Sequence, residues 1–161
     1  MLSMEITETK NFVKKLLMEP VFDTFLLVQA DVQSDVSYSI DGHLNPAFFD
    51  TGELEDLPSK SYAAWGTIRH HIFNVIKGSK LPLSFKIVLI LSDTNIERIL
   101  EQNHLTITRS DIANLSLNIY FDGSKITITT MASLNIFSMD KTLAAVWDSN
   151  IAAFFRKNQI L

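Results

Sequence analysis

Chemistry in this chain would first be sought at its four histidines and the acids nearest them. His43 stands two residues after Asp41, and His70 and His71 are neighbours in a segment of helical pattern. A transition metal needs imidazoles and carboxylates converging on one point, for which the helical signals are His-Glu-x-x-His or two histidines four apart. Neither occurs, and adjacent helical residues point roughly 100° apart. No metal site is expected, and each histidine is read first as a surface or loop residue. There is no cysteine, which removes thiolate nucleophiles, Cys-ligated zinc and disulfides and fits a reducing compartment.

A serine nucleophile would be marked by Gly-x-Ser-x-Gly, which is absent. Gly78-Ser79-Lys80 ends like a phosphate-binding loop but lacks the earlier glycine, and it follows a helix C-terminus, where the dipole repels anions. Lys77 and Lys80 are read instead as cations at the last carbonyls of that helix. With five glycines and no Gly-x-Gly-x-x-Gly, a dinucleotide fingerprint is excluded and no cofactor is expected. Asp50, Glu53, Glu55 and Asp56 could pair for acid–base work, although clustered loop acids are ordinarily solvated.

The net charge of −4 argues against indiscriminate binding to phosphate backbones or anionic membranes. Its distribution says more. Residues 41–56 hold Asp41, Asp50, Glu53, Glu55 and Asp56 and no base, whereas residues 57–92 hold Lys60, Arg69, Lys77, Lys80 and Lys86 and no acid. Either the two blocks neutralise one another or the second carries an anion-binding patch. Arg69 is the best single candidate for that patch, because a guanidinium grips a carboxylate or phosphate through two parallel hydrogen bonds. Trp65 lies one helical turn before it, so the pair reads as a stacked helix edge or as an aromatic platform beside a cation. The competing structural reading is a salt bridge from Arg69 to the acidic loop between Asp50 and Asp56.

The elements that would carry these residues follow from periodicity. At 161 residues and 47% hydrophobic content the chain fits one domain, residues 1–161, with a continuous core. No signal peptide or spanning segment is visible, so a cytoplasmic protein is expected. A helix is expected from a Thr7 cap to about Met18. A hairpin follows over residues 24–40, with Val32 opposite Val36 across a Gln33-Ser34-Asp35 loop. Residues 43–58 read as irregular, with turn signals at Asn45-Pro46, Thr51-Gly52 and Pro58. A helix over 61–77 buries Ala64, Trp65, Ile68, Ile72, Val75 and Ile76 and turns His70 outward. Residues 83–91 form a central strand, Thr94 caps a helix, and 105–108 is a short extended piece.

The clearest pattern is the hairpin formed by Leu115, Leu117, Ile119 and Phe121 and by Ile126, Ile128, Thr130, Ala132, Leu134 and Ile136. A two-residue turn there sets 119 against 126 and 117 against 128. Ser116, Asn118, Tyr120, Thr127, Thr129, Ser133 and Asn135 would then show a polar outer face. A final helix buries Leu143, Val146, Trp147, Ile151 and Phe154. The fold class is α+β: a mainly antiparallel sheet of two hairpins plus a central strand, with about four helices mostly on one face.

Several stretches resemble an uncharacterised bacterial family of Clostridia type, known only as a domain of unknown function. They are Phe22-Asp23-Thr24-Phe25-Leu26-Leu27, Ile40-Asp41-Gly42-His43-Leu44-Asn45, Trp65-Gly66-Thr67-Ile68-Arg69, residues 76–83 with Phe85-Lys86, and Asp140-Lys141-Thr142-Leu143 with Trp147-Asp148. The resemblance covers nearly the whole chain and implies an intracellular, single-domain protein, but no activity or catalytic residues. The leading expectation is a binding or interaction protein without a catalytic centre, using the polar sheet face or the Arg69 edge. The alternative is a small enzyme acting on an anionic substrate through Arg69 and a histidine from His43, His70 or His71. A protein partner, a small anionic ligand and a homodimer are open as partners. A membrane is not expected, and nucleic acid is disfavoured by the charge and the missing aromatic–basic strand motif.

Overall fold

The computed structural model describes residues 1–57, 59, 61–78 and 80–161. Pro58 as a turn signal, Lys60 in the basic block and Ser79 in Gly78-Ser79-Lys80 lie outside the described residues. In chain order the elements are β1 (Ser3–Ile6), α1 (Thr9–Leu17), β2 (Leu26–Gln33), β3 (Ser37–Asp41), α2 (Thr51–Asp56), α3 (Trp65–Ile76), β4 (Ser84–Ile90), α4 (Asp93–Gln102), β5 (Ile112–Phe121), β6 (Ile126–Leu134) and α5 (Thr142–Lys157). The six strands make one antiparallel sheet in the order β1-β6-β5-β4-β2-β3. The fold is α+β, with both hairpins and the central strand β4 where the sequence puts them.

One face of every central strand is apolar, as period-two alternation requires. Leu27, Ala30 and Val32 of β2, Phe85, Ile87 and Leu89 of β4, Leu117 and Ile119 of β5 and Ile126 and Ile128 of β6 are all buried. They share one continuous cluster with Phe12 and Leu16 of α1, Trp65 and Ile72 of α3, Ile96 and Ile99 of α4 and Trp147, Ile151 and Phe155 of α5. The Trp147 indole N–H donates to the Ser116 carbonyl at 3.0 Å, and the buried Thr130 hydroxyl donates to Asp148 of α5. These bonds pin the last helix to the sheet.

Several expectations shift. Thr7 does not cap α1; Glu8 holds that position, without a side-chain cap. Ser92, not Thr94, caps α4, its hydroxyl accepting the Asn95 N–H. Residues 105–108 form no strand. The acidic segment holds α2, begun by a capping box in which Asp50 accepts the Glu53 N–H at 2.7 Å and Glu53 accepts the Asp50 N–H.

Both hairpins are displaced by two residues. Val32 faces Tyr38 rather than Val36, and Ile119 faces Ile128 rather than Ile126. In the second hairpin the cause is visible: Asp122 Oδ1 accepts the N–H groups of both Ser124 and Lys125, each at 2.9 Å. That side chain organises a four-residue turn in place of a two-residue one. A slip of two keeps every side chain on its face, so the core is unchanged. Among the described residues, no helix is long and apolar enough to cross a membrane.

Candidate functional site

Arg69 and Trp65 lie on α3 where it meets the end of α1, and both are engaged there. Trp65 is fully buried, and its indole N–H donates to the Leu16 carbonyl at 2.8 Å. Arg69 donates from Nε to Asp23 Oδ1 at 2.8 Å, from Nη2 to Asp23 Oδ2 at 3.4 Å and from Nη1 to the Leu17 carbonyl at 3.0 Å. The last carbonyls of a helix have no partner within it and carry its negative dipole end. Here an indole and a guanidinium on α3 satisfy two of them. The expected bridge from Arg69 to the acidic loop at Asp50–Asp56 is therefore replaced by one to Asp23. The reason is placement: Asp23 ends the 3-10 turn Pro20–Phe22 that follows α1, and a Cβ on Gly66 would lie 2.8 Å from its Cγ. Only glycine lets α3 approach so closely. The aromatic platform read for Trp65 is not available, because that ring is in the core.

His43 lies elsewhere, at the end of β3. Its ring Nδ1 is 2.6 Å from Asp41 Oδ1, which also accepts the His43 backbone N–H at 2.9 Å. These bonds, the backbone one first, hold the Asp41 carboxyl below the usual carboxylate range. The His43 ring tilts against Tyr62 at 4.5 Å, and both His43 and Asp41 are exposed. Gly42 between them packs so closely on the Leu27 backbone that a Cβ would fall 1.8 Å from its carbonyl oxygen. His70 and His71 are exposed on α3, their rings 3.9 Å apart. The structure brings Trp65 and Arg69 together at the end of α1 and places His43 beyond β3, while His70 and His71 follow Arg69 on α3 with their rings on its exposed side. Among the described residues no group of three or more His, Asp or Glu could hold a metal ion.

Three other surfaces have shape. A cleft of about 370 Å³ lies between residues 104–107 and the start of α5. Its carboxylates are already used locally: Asp111 accepts from the Thr108 N–H at 3.1 Å, and Asp140 accepts from the Thr142 hydroxyl at 2.6 Å and its N–H at 2.9 Å. The hydroxyl bond first, then the backbone one, depress the Asp140 pKa. A second cleft, of about 250 Å³, lies between α4 and α5, with an apolar floor and Arg98 on its rim.

The third is the outer sheet face. Register aligns Ser39, Asp31, Lys86, Tyr120, Thr127 and Glu5 in one row across all six strands. Lys86, Asn118, Tyr120, Thr127, Thr129 and Met131 line a shallow dish of about 510 Å³. Asp31 is the cross-strand neighbour of Lys86, yet its carboxylate accepts from Gln29 at 3.1 Å and Ser39 at 2.8 Å. Among the described residues Lys86 has no ion-pair partner. At one end this face is closed, since Leu26, Ile90 and Ser116 point outward but are buried, with Leu26 and Ile90 beside Tyr62. Ser116 thus leaves the expected polar surface.

The alternation in the sequence located this face, but nothing in it located the α4–α5 cleft. Asn95, Arg98 and Gln102 recur at a spacing that puts them on one side of a helix, which was the signal to use. No curated protein and no solved structure matches the chain. A family model described as "Family of unknown function (DUF5721)" matches residues 15–161, and the chain belongs to that family.

Proposed function

We propose that this protein is a cytoplasmic, single-domain binding protein without a catalytic centre, and that its recognition surface is the open outer face of the sheet. The observation that carries the reading is the dish around Lys86, Tyr120 and Met131. Tyr120 and Met131 are about half exposed, at 47% and 50%, beside a lysine whose cross-strand acid is occupied. Tyrosine and methionine are enriched at interface cores, with polar groups around them. Strand spacing and rise give the face an area on the order of 500 Å². That suits a transient complex rather than an obligate one. The occupant is a protein segment with a convex surface, an acidic side chain for Lys86 and apolar groups for Tyr120 and Met131. The catalytic alternative has less support, because Arg69 is held by Asp23 and the Leu17 carbonyl and among the described residues bonds to none of His43, His70 and His71.

A photo-crosslinking residue at position 120 tests this in cells, with one at exposed Lys14 of α1 as the control. A partner should be captured from position 120 alone. The purified partner should then lose about ten-fold or more in affinity for Lys86→Glu, an introduced like-charge contact. Equal capture from both positions, or unchanged affinity for Lys86→Glu, would overturn the proposal.

A further inference from the structure

The cleft between α4 and α5 has the features of a small-ligand site and is independent of the sheet face. Its floor is Phe25, Trp147, Ile151 and Phe154, and its rim carries Asn95, Arg98 and Gln102 of α4 with Asn150 of α5. An apolar pocket with a few convergent polar groups is the usual form of such a site. The charge on the rim selects the ligand. The sequence holds 18 acids, yet among the described residues no acid lines this cleft, and Arg98 is its one charged residue.

Arg98 is also uncommitted. Glu97 and Glu101 lie within one turn of it on α4, but it forms no ion pair with either among the described residues. Its Nη1 donates to Asn95 Oδ1 at 3.1 Å. That bond orients the guanidinium beside the cleft, occupies the amide oxygen and leaves the Asn95 Nδ2 hydrogens free to donate. A guanidinium and an amide donor side by side above an aromatic floor match an anion with an apolar tail.

We propose that the α4–α5 cleft binds a small amphipathic carboxylate, its head on Arg98 and Asn95 and its alkyl or aryl tail on Trp147 and Phe154. Arg98 supplies the two parallel donors that a carboxylate accepts, and the buried floor sequesters the tail from water.

Octanoate is the probe, titrated to millimolar concentration into the isotope-labelled full chain. The two tryptophans make the readout internal: Trp147 is on the cleft floor, while Trp65 is held by Leu16 on α1. The Trp147 indole N–H signal should shift saturably and that of Trp65 should stay in place. Arg98→Gln should weaken binding about ten-fold or more, with the melting temperature unchanged because the side chain is exposed. Acetate, octan-1-ol and octylammonium test the head, the tail and the sign of the charge, and none should match octanoate. No saturable shift of Trp147, equal binding of octylammonium or octan-1-ol, or full affinity in Arg98→Gln would each overturn the proposal.

Discussion

Arg69 and Arg98 stand on helices that pack on the same sheet face, and their surroundings are opposite. Arg69 meets Asp23 and the Leu17 carbonyl, with both ion-pair side chains largely shielded, at 21% and 29% exposure. Among the described residues Arg98 bonds only to the Asn95 amide, at an exposed cleft rim. A cation whose donors end on a carboxylate and a helix C-terminus organises its own chain. One with open donors over an apolar floor has capacity for something else. In the sequence Arg69 stands out, because it lies in an acid-free block, and Arg98 was not singled out.

The largest expected effect lies in the Arg69 region. Trp65→Ala removes a fully buried indole and its bond to Leu16, and should cost about 3–5 kcal/mol in chemical denaturation. Arg69→Ala leaves Asp23 and a helix-end carbonyl without their charged donor, and should cost about 2–3 kcal/mol. Gly66→Ala drives a methyl into Asp23 and should cost about 1–3 kcal/mol, read as a lowered urea midpoint.

Smaller effects are expected away from that region. The Asp122 pKa is depressed by N–H bonds from Lys125 and then Ser124. A depressed carboxyl contributes stability that is fully present above its unfolded value of about 3.9 and is lost as pH falls through its folded value. The urea midpoint should therefore decline below about pH 4, and Asp122→Ala should flatten that decline. Asp122 is exposed, so its share is small. Arg98→Ala should change stability by no more than about 0.5 kcal/mol.

Much of the fold was legible because alternation and helical stripes determine which side chains are buried. Leu117, Ile119, Ile126, Ile128 and Trp147 are all in the core the pattern assigns them. Register was not legible, since the Asp122 side chain lengthens the turn without altering the alternation. The strand β1 was missed because Ser3–Ile6 is only four residues long and gains its structure from pairing with β6. The acids around Asp50 and Glu53 obscured a capping box that their spacing contains.

At the site, residue types were readable and partners were not. Asp23 and Arg69 both fall in stretches that carry the family resemblance, Phe22–Leu27 and Trp65–Arg69. Their pairing spans 46 positions and depends on how α1 and α3 meet. Gly66 between Trp65 and Arg69 was the local clue, as a helical glycine marks a close approach.

The most direct measurement is a double-mutant cycle by urea denaturation with Asp23→Ala, Arg69→Ala and the pair together. If Arg69 serves the fold through Asp23, each single variant is clearly destabilised. The double variant then costs less than their sum, with a coupling of about 1–3 kcal/mol. If Arg69→Ala is as stable as the parent and the two substitutions simply add, Arg69 does not hold these helices together.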